Sequence, residues 1–313
     1  MKRSLFLTVC LLTAKISVAQ QDKQFTHYMY DKMSYNPAAT GFHGYCATII
    51  YRNQWDRVER APNSTLVNVQ GNFPQQNLGL GISFTNDAIG FQRNNTMLLN
   101  GAYHFGTSAG VLSAGFGAGI INVGFSPDWV PPQTYVDPNL PAPLSGSGLD
   151  MNFGLHWYGK HKPYYVGFST THLSPATMQS INYQVARHYY VLGGYNFHLP
   201  YSKIDLKPSI LIKADGATSI FDLNTTADYW LNNYSFVWAG FSYRLQDAIA
   251  LNVGYAFSPS RNTKLSMVKI GYSFDIMTNA LNTYGKGTHE LMLNLCVFPP
   301  RLIGSHGNPF ILQ

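Results

Sequence analysis

Charge is scarce in this 313-residue chain. Asp, Glu, Lys and Arg make up 12% of it, about half of the ~25% usual in soluble globular domains. Long apolar runs are missing too. Leu5 to Leu12 falls far short of the ~20 residues of a spanning helix, and no later run is long and apolar enough. The formal net charge of +6 includes Lys2, Arg3 and Lys15. The mild excess left without them is no nucleic-acid footprint.

Catalytic signatures are equally absent. In "THELML", His289-Glu290 lacks the second histidine of a zinc motif, because Leu293 stands in its place. No Gly-x-Ser-x-Gly elbow occurs. "GFGAG" (115–119) lacks the Lys-Ser/Thr of a phosphate loop and reads as small residues packing closely within a strand. His27, His43, His104, His156, His161, His172, His188 and His198 are scattered singly, without ligand spacing. Nothing in the sequence asks for a metal or a cofactor. A hydrolase built on a Ser-His pair in a barrel wall needs no local motif, so it stays open.

What the chain does carry is an export leader and aromatic strands. Lys2 and Arg3, the apolar Leu5–Leu12 run and Ser17-Val18-Ala19 read as a signal peptide, residues 1–19, cut after Ala19. Lys15 argues against a membrane anchor, and Val9 before Cys10 against a lipoprotein. Aromatics reach 14%, with 28 glycines. Period-2 alternation runs from about residue 43 to 298. In "AIALNVGYAF", Ile249, Leu251, Val253, Tyr255 and Phe257 share one face against Ala250, Asn252, Gly254 and Ala256. That pattern suits a transmembrane antiparallel β-barrel with lipid outside and a polar lumen inside. A soluble sandwich has the same period with its apolar face inward, but segments this long, the leader and the low charge favour the barrel.

Fourteen strands are expected, at 43–53, 64–73, 77–86, 93–105, 110–123, 149–159, 164–173, 185–198, 203–213, 218–230, 234–243, 248–257, 264–274 and 288–298. Short connections should face the periplasm and longer ones, including 54–63, 86–93, 174–184 and 275–287, the outside. The turns at 214–217 and 244–247 are exceptions, short although external. Residues 20–42 form an irregular N-terminal periplasmic or plug segment, 43–298 the barrel, and 299–313 a C-terminal tail. Trp55, Trp129, Trp157, Tyr158, Tyr229, Trp230 and Trp238 read as an interfacial girdle, or as a ligand platform. Cys46 and Cys296 lie on the first and last strands, on lumenal faces that closure makes neighbours. They are either two isolated small residues or a seam disulfide in an oxidising compartment.

The opening segment then resembles a known family. Gln24, Phe25, Thr26, Tyr28, Met29 and Tyr30, followed by Tyr35, Asn36, Pro37, Ala38 and Gly41, look like the N-terminal signature of PorP/SprF outer-membrane proteins of the type IX secretion and gliding machinery. The likeness continues through "YRNQW" (51–55), "LGLGISFTNDAIGFQRNN" (78–95) and "GYSFDIMTNALNTYGKGTHELMLNL" (271–295). Asp31-Lys32-Met33 departs from it. The resemblance implies a non-enzymatic outer-membrane component that meets peptidoglycan-associated secretion machinery and a large cargo, such as an adhesin with a type B C-terminal domain. Two placements are open for residues 24–41. In one, Gln24, Phe25, Tyr28, Tyr30, Tyr35, Asn36 and Pro37 help form a partner-facing surface at the periplasmic mouth. In the other, the aromatics fill the lumen and touch no partner. The main rival function is a porin or substrate-selective channel.

Overall fold

The computed structural model describes residues 22–42, 44–127, 142–160, 163–174, 177–178, 181, 183–259 and 266–297. The expected leader at 1–19 and tail at 299–313, and most of the long connection after residue 127 with Trp129, lie outside them. Fourteen wall strands follow one another in order: β1 (Tyr45–Asn53), β2 (Asn63–Phe73), β3 (Leu78–Ile89), β4 (Gln92–Gly106), β5 (Gly110–Phe125), β6 (Leu144–Gly159), β7 (Tyr164–Thr171), β8 (His188–Tyr195), β9 (Ile204–Ala214), β10 (Ser219–Asn232), β11 (Ser235–Arg244), β12 (Ala248–Phe257), β13 (Ser266–Met277) and β14 (Thr288–Val297). Each pairs antiparallel with its neighbours, and β1 pairs with β14, so the sheet closes and has no free edge.

The faces are inside out relative to a soluble sandwich. Leu99 and Leu149 on the outer surface are 62% and 67% exposed, while inward-facing Thr48, Asn68 and Ser113 are 1%, 1% and 0% exposed. Such a wall is stable only where hydrocarbon replaces water outside. One interruption has a covalent cause. The β8–β9 ladder breaks between Gly194–Ser209 and the short pair Phe197–Leu206, and Pro208, which has no N–H to donate, stands in the gap.

Several expectations change: β6 begins at Leu144 rather than residue 149, and Tyr158 and Trp230, expected in the girdle, pack on the lumenal clusters. The connection expected at 86–93 is only Gly90 and Phe91, because alternation continues through Ile89 and Gln92, with Gly90 taking the turn at φ +58°. β8 begins at His188 rather than residue 185. Before it, Thr177–Met178 pairs with Tyr183–Gln184, and Met178 and Val185 pack on Ile121 and Val123 of β5. Trp238 is no girdle residue. It stands in phase with Phe236 and Ser242 on β11, and is 2% exposed within the lumen.

Cys46 and Cys296 are direct cross-strand partners at the β1–β14 seam, 4.1 Å apart at Cα and joined Sγ to Sγ, closing a sequence separation of 250 residues. Intact-mass measurement with and without reductant should therefore find no alkylatable thiol at these positions before reduction. Two freely alkylated thiols in unreduced protein would rule out the bond.

Candidate functional site

Residues 22–42 run through the lumen in the opposite sense to β1. Asp22 lies at the rim where β1 ends, where its N–H donates to His188 Nε2 over 3.1 Å and its carbonyl accepts from Lys213 Nζ over 2.6 Å. Halfway along, the Asp31 carboxylate accepts from Asn68 Nδ2 of β2 at 2.7 and 2.8 Å. Near the opposite rim, where β1 begins, Gly41 N–H donates to Gln70 Oε1 over 2.7 Å. The Asn-Pro pair makes a 3-10 turn at Pro37–Ala39, capped by the Asn36 side chain, which accepts from Ala38 N–H at 2.9 Å. The Asn36 amide also donates to Leu155 O of β6 over 2.9 Å.

The polar anchor of this plug is a knot of buried charges. Arg52 of β1 reaches Asp275 of β13 at 2.7 Å and Glu290 of β14 at 2.9 Å. Glu290 in turn accepts the backbone N–H groups of Thr26 and His27, both at 2.9 Å, and the His27 ring lies 2.7 Å from it. Thr26 Oγ1 donates to Asp275 over 3.1 Å and accepts from Arg52 over 3.0 Å. Beside it, Arg244 of β11 pairs with Asp222 of β10 at 3.2 Å, and Asp222 accepts from Gln24 Nε2 at 3.1 Å. Arg52, Arg244, Asp222, Asp275 and Glu290 are all at most 3% exposed. Charges taken this far from water persist only when paired and hydrogen-bonded. Here the plug backbone supplies part of that pairing.

Apolar contacts and missing side chains do the rest. Phe25, Tyr28 and Tyr35 pack in one cluster with Ile50, Leu66, Tyr190 and Leu211, which project inward from the wall. Each fully buried ring contributes about 1.5–3 kcal/mol. Across the lumen the wall offers glycine where the plug comes closest. A Cβ at Gly115 would overlap the backbone of Ala38, one at Gly154 the Asn36 side chain, and one at Gly79 the carbonyl of Thr40. Of the "GFGAG" stretch, Gly115 is the residue that leaves a groove for the plug.

At the rim where β1 ends, Asp22, His172 and His188 meet. His172 Nε2 is 3.8 Å from Asp22 Oδ2, and its Nδ1 is 3.0 Å from Asp150 Oδ1. Burial alone lowers the His172 pKa, but bonds and charge from Asp150 and Asp22 outweigh it and raise it to about 9.

All seven residues singled out in the opening segment, Gln24, Phe25, Tyr28, Tyr30, Tyr35, Asn36 and Pro37, lie in the lumen. Six are buried there, and Tyr30 is partly so, its ring 5.2 Å from Trp238. Asp222, Arg244 and Asp275 belong to no motif in the sequence, and Glu290 stands there only in the failed zinc motif. Their signal was charge at inward positions of strands in a charge-poor chain. A Ser-His pair does exist in the wall. His104 Nδ1 is 2.7 Å from Ser113 Oγ, but the pair is buried, and the Thr40 backbone of the plug, rather than a carboxylate, bonds the ring.

Comparison with known proteins agrees with this architecture. Residues 17–295 match the family described as type IX secretion system membrane protein PorP/SprF. No curated protein matches the chain. Among solved structures, the Ralstonia pickettii toluene transporter TbuX is similar with a TM-score of 0.54 and 11% identity, over 85% of this chain and 93% of that one. A deletion mutant of the monoaromatic hydrocarbon channel TodX is similar with a TM-score of 0.52 and 10% identity, over 84% and 92% of the two chains. At these identities the likeness is one of fold.

Two substitutions test the plug's attachments. Arg52→Met leaves Glu290 buried without its arginine and Asp275 with only Arg244 at 3.4 Å, and should cost about 3–5 kcal/mol, read as an earlier denaturant midpoint in detergent. Gly115→Val should force the plug off β5, costing about 1–3 kcal/mol and making Tyr35→Cys reactive to a thiol reagent in the double variant. Unchanged reactivity relative to Tyr35→Cys alone would show that the groove does not hold the plug.

Proposed function

Because the chain belongs to the PorP/SprF family of type IX secretion system membrane proteins, we propose that it is a non-enzymatic scaffold of that apparatus in the outer membrane. In this role it links peptidoglycan-associated components on the periplasmic side to export or surface anchoring of a large cargo protein. The observation that supports the reading best is the filled lumen. A passive porin needs an open path, whereas here residues 22–42 cross the barrel from rim to rim, bonded to opposite walls.

The rim where β1 begins faces the periplasm in this reading. Phe42 packs there on His104, His156 and Tyr158, making a firm floor under the mouth. Gln24, Phe25, Tyr28, Tyr30, Tyr35, Asn36 and Pro37 take part in partner recognition from within. They fix the path of the plug, and so the shape of the mouth a partner meets. The buried Ser113–His104 pair has no access to substrate while the plug is seated.

Crosslinked affinity purification of the tagged protein from native outer membranes should recover peptidoglycan-linked secretion components and one large surface protein. Phe25→Ala/Tyr28→Ala should reduce that recovery at least several-fold while leaving a folded barrel. In planar bilayers the purified wild-type protein should conduct little. Large steady conductance, with the barrel recovered alone from membranes containing the machinery, would favour a channel for small solutes instead.

A further inference from the structure

Sequence spacing separates Asp22, His172 and His188, yet the fold gathers one ligand atom from each within 4.8 Å of the others. We propose that these three side chains form a binding site for a divalent transition-metal ion of the zinc type, which fastens the outer end of the plug to the wall. The inference is independent of the secretion role.

Orientation favours it first. His172 has Nδ1 engaged by Asp150 Oδ1 at 3.0 Å, and His188 has Nδ1 engaged by the Ala186 carbonyl at 3.0 Å. Each ring is therefore held by a second partner that leaves Nε2 turned toward Asp22. A carboxylate behind one histidine and a backbone carbonyl behind another are the supports that metal-ligating imidazoles ordinarily have.

The backbone at His172 makes a second point. It has φ +55°, a left-handed conformation uncommon for a residue with a side chain. Held there, the ring faces the lumen instead of following the β7 alternation outward. Such outliers persist where surrounding structure over-determines them, and they concentrate at functional sites.

Space and chemistry also fit. A cavity of about 50 Å³ adjoins the three residues, and Lys23, Asp87 and Tyr183 also line it. That volume holds an ion with a water molecule. Two imidazoles and one carboxylate with an open fourth position are a donor set that zinc accepts, at roughly 2.0–2.2 Å to each atom. Closing to tetrahedral spacing moves the donors together by about 1 Å. Asp22 Oδ2 accepts from the Tyr190 hydroxyl over 2.8 Å and Oδ1 from the Lys23 N–H over 2.9 Å, and the ion would take the place of one of these bonds. The bond from Asp22 N–H to His188 Nε2 would give way to the ion. A proton on His172 and a cation compete for the same place, so binding releases a proton.

The test uses the full chain purified in detergent without a histidine tag and stripped with EDTA. Titration with zinc chloride against a chromophoric chelator should show one tightly bound ion per chain, and cobalt should give the intense visible bands of a tetrahedral site. His188→Ala and Asp22→Asn should each weaken zinc binding at least about 100-fold. His198→Ala, an exposed histidine paired with Asp205 near the opposite rim, should leave it unchanged. Heat-modifiable migration on gels would confirm that each variant is folded, and Asp22→Asn serves if a histidine variant is not. Absence of stoichiometric binding, or equal affinity in folded wild type, His188→Ala and Asp22→Asn, would overturn the site.

Discussion

Arg52 binds the wall to what lies inside it. Its guanidinium bridges two strands by way of Asp275 and Glu290, and Glu290 spends its remaining acceptor capacity on the Thr26 and His27 amides. These groups are at most 3% exposed, so water offers them little in exchange. Withdrawing the plug would leave a carboxylate with two amide bonds lost, and withdrawing Arg52 would leave Glu290 without its arginine and Asp275 with only Arg244, at 3.4 Å. Wall and plug are therefore one electrostatic unit. The aromatic cluster around Phe25, Tyr28 and Tyr35 adds energy to a geometry that the charges set.

That coupling explains why the interior resembles a soluble core in parts. An aqueous channel would keep its inward positions uniformly polar. Here Ile50, Leu66, Leu211, Phe236 and Met292 point inward and are nearly inaccessible, because plug aromatics lie against them. Elsewhere Gly79, Gly115 and Gly154 withdraw the wall to admit plug backbone. Lumenal side-chain size thus varies with the contour of the threaded segment. Met178 and Val185, packed on Ile121 and Val123, continue the same filling at one rim.

The wall was legible because a barrel strand repeats one local rule, apolar outward and polar inward, and each residue states its side independently of distant ones. The rule also extended where turn residues suggested otherwise, as at Asn86 to Arg93. It failed for Trp238, since an inward aromatic makes sense only with Tyr30 of the plug opposite. The plug itself has no period. Its aromatics announced burial, but whether against a partner or against the wall depended on contacts that no local pattern encodes. The Asp22, His172 and His188 group was illegible for the same reason: its members come from the plug, an inward loop and a strand end. Glu290 was visible only as half of a failed zinc motif. Its acidity mattered, but its partner was the chain's own backbone.

The threaded path also bears on the order of assembly. Thr26 meets Glu290 at a sequence separation of 264, whereas most wall hairpins close over a short loop. Contacts at such separation carry the largest loop-closure entropy and reward the chain last. Neighbouring hairpins can form one after another from local pairing, but the segment synthesised first finds its ligands only once β13 and β14 exist. Nucleation therefore belongs to the wall, and the plug is seated as the sheet curls shut around it. The pairing of β1 with β14 and the seating of the plug against them are the most non-local contacts of an otherwise simple meander.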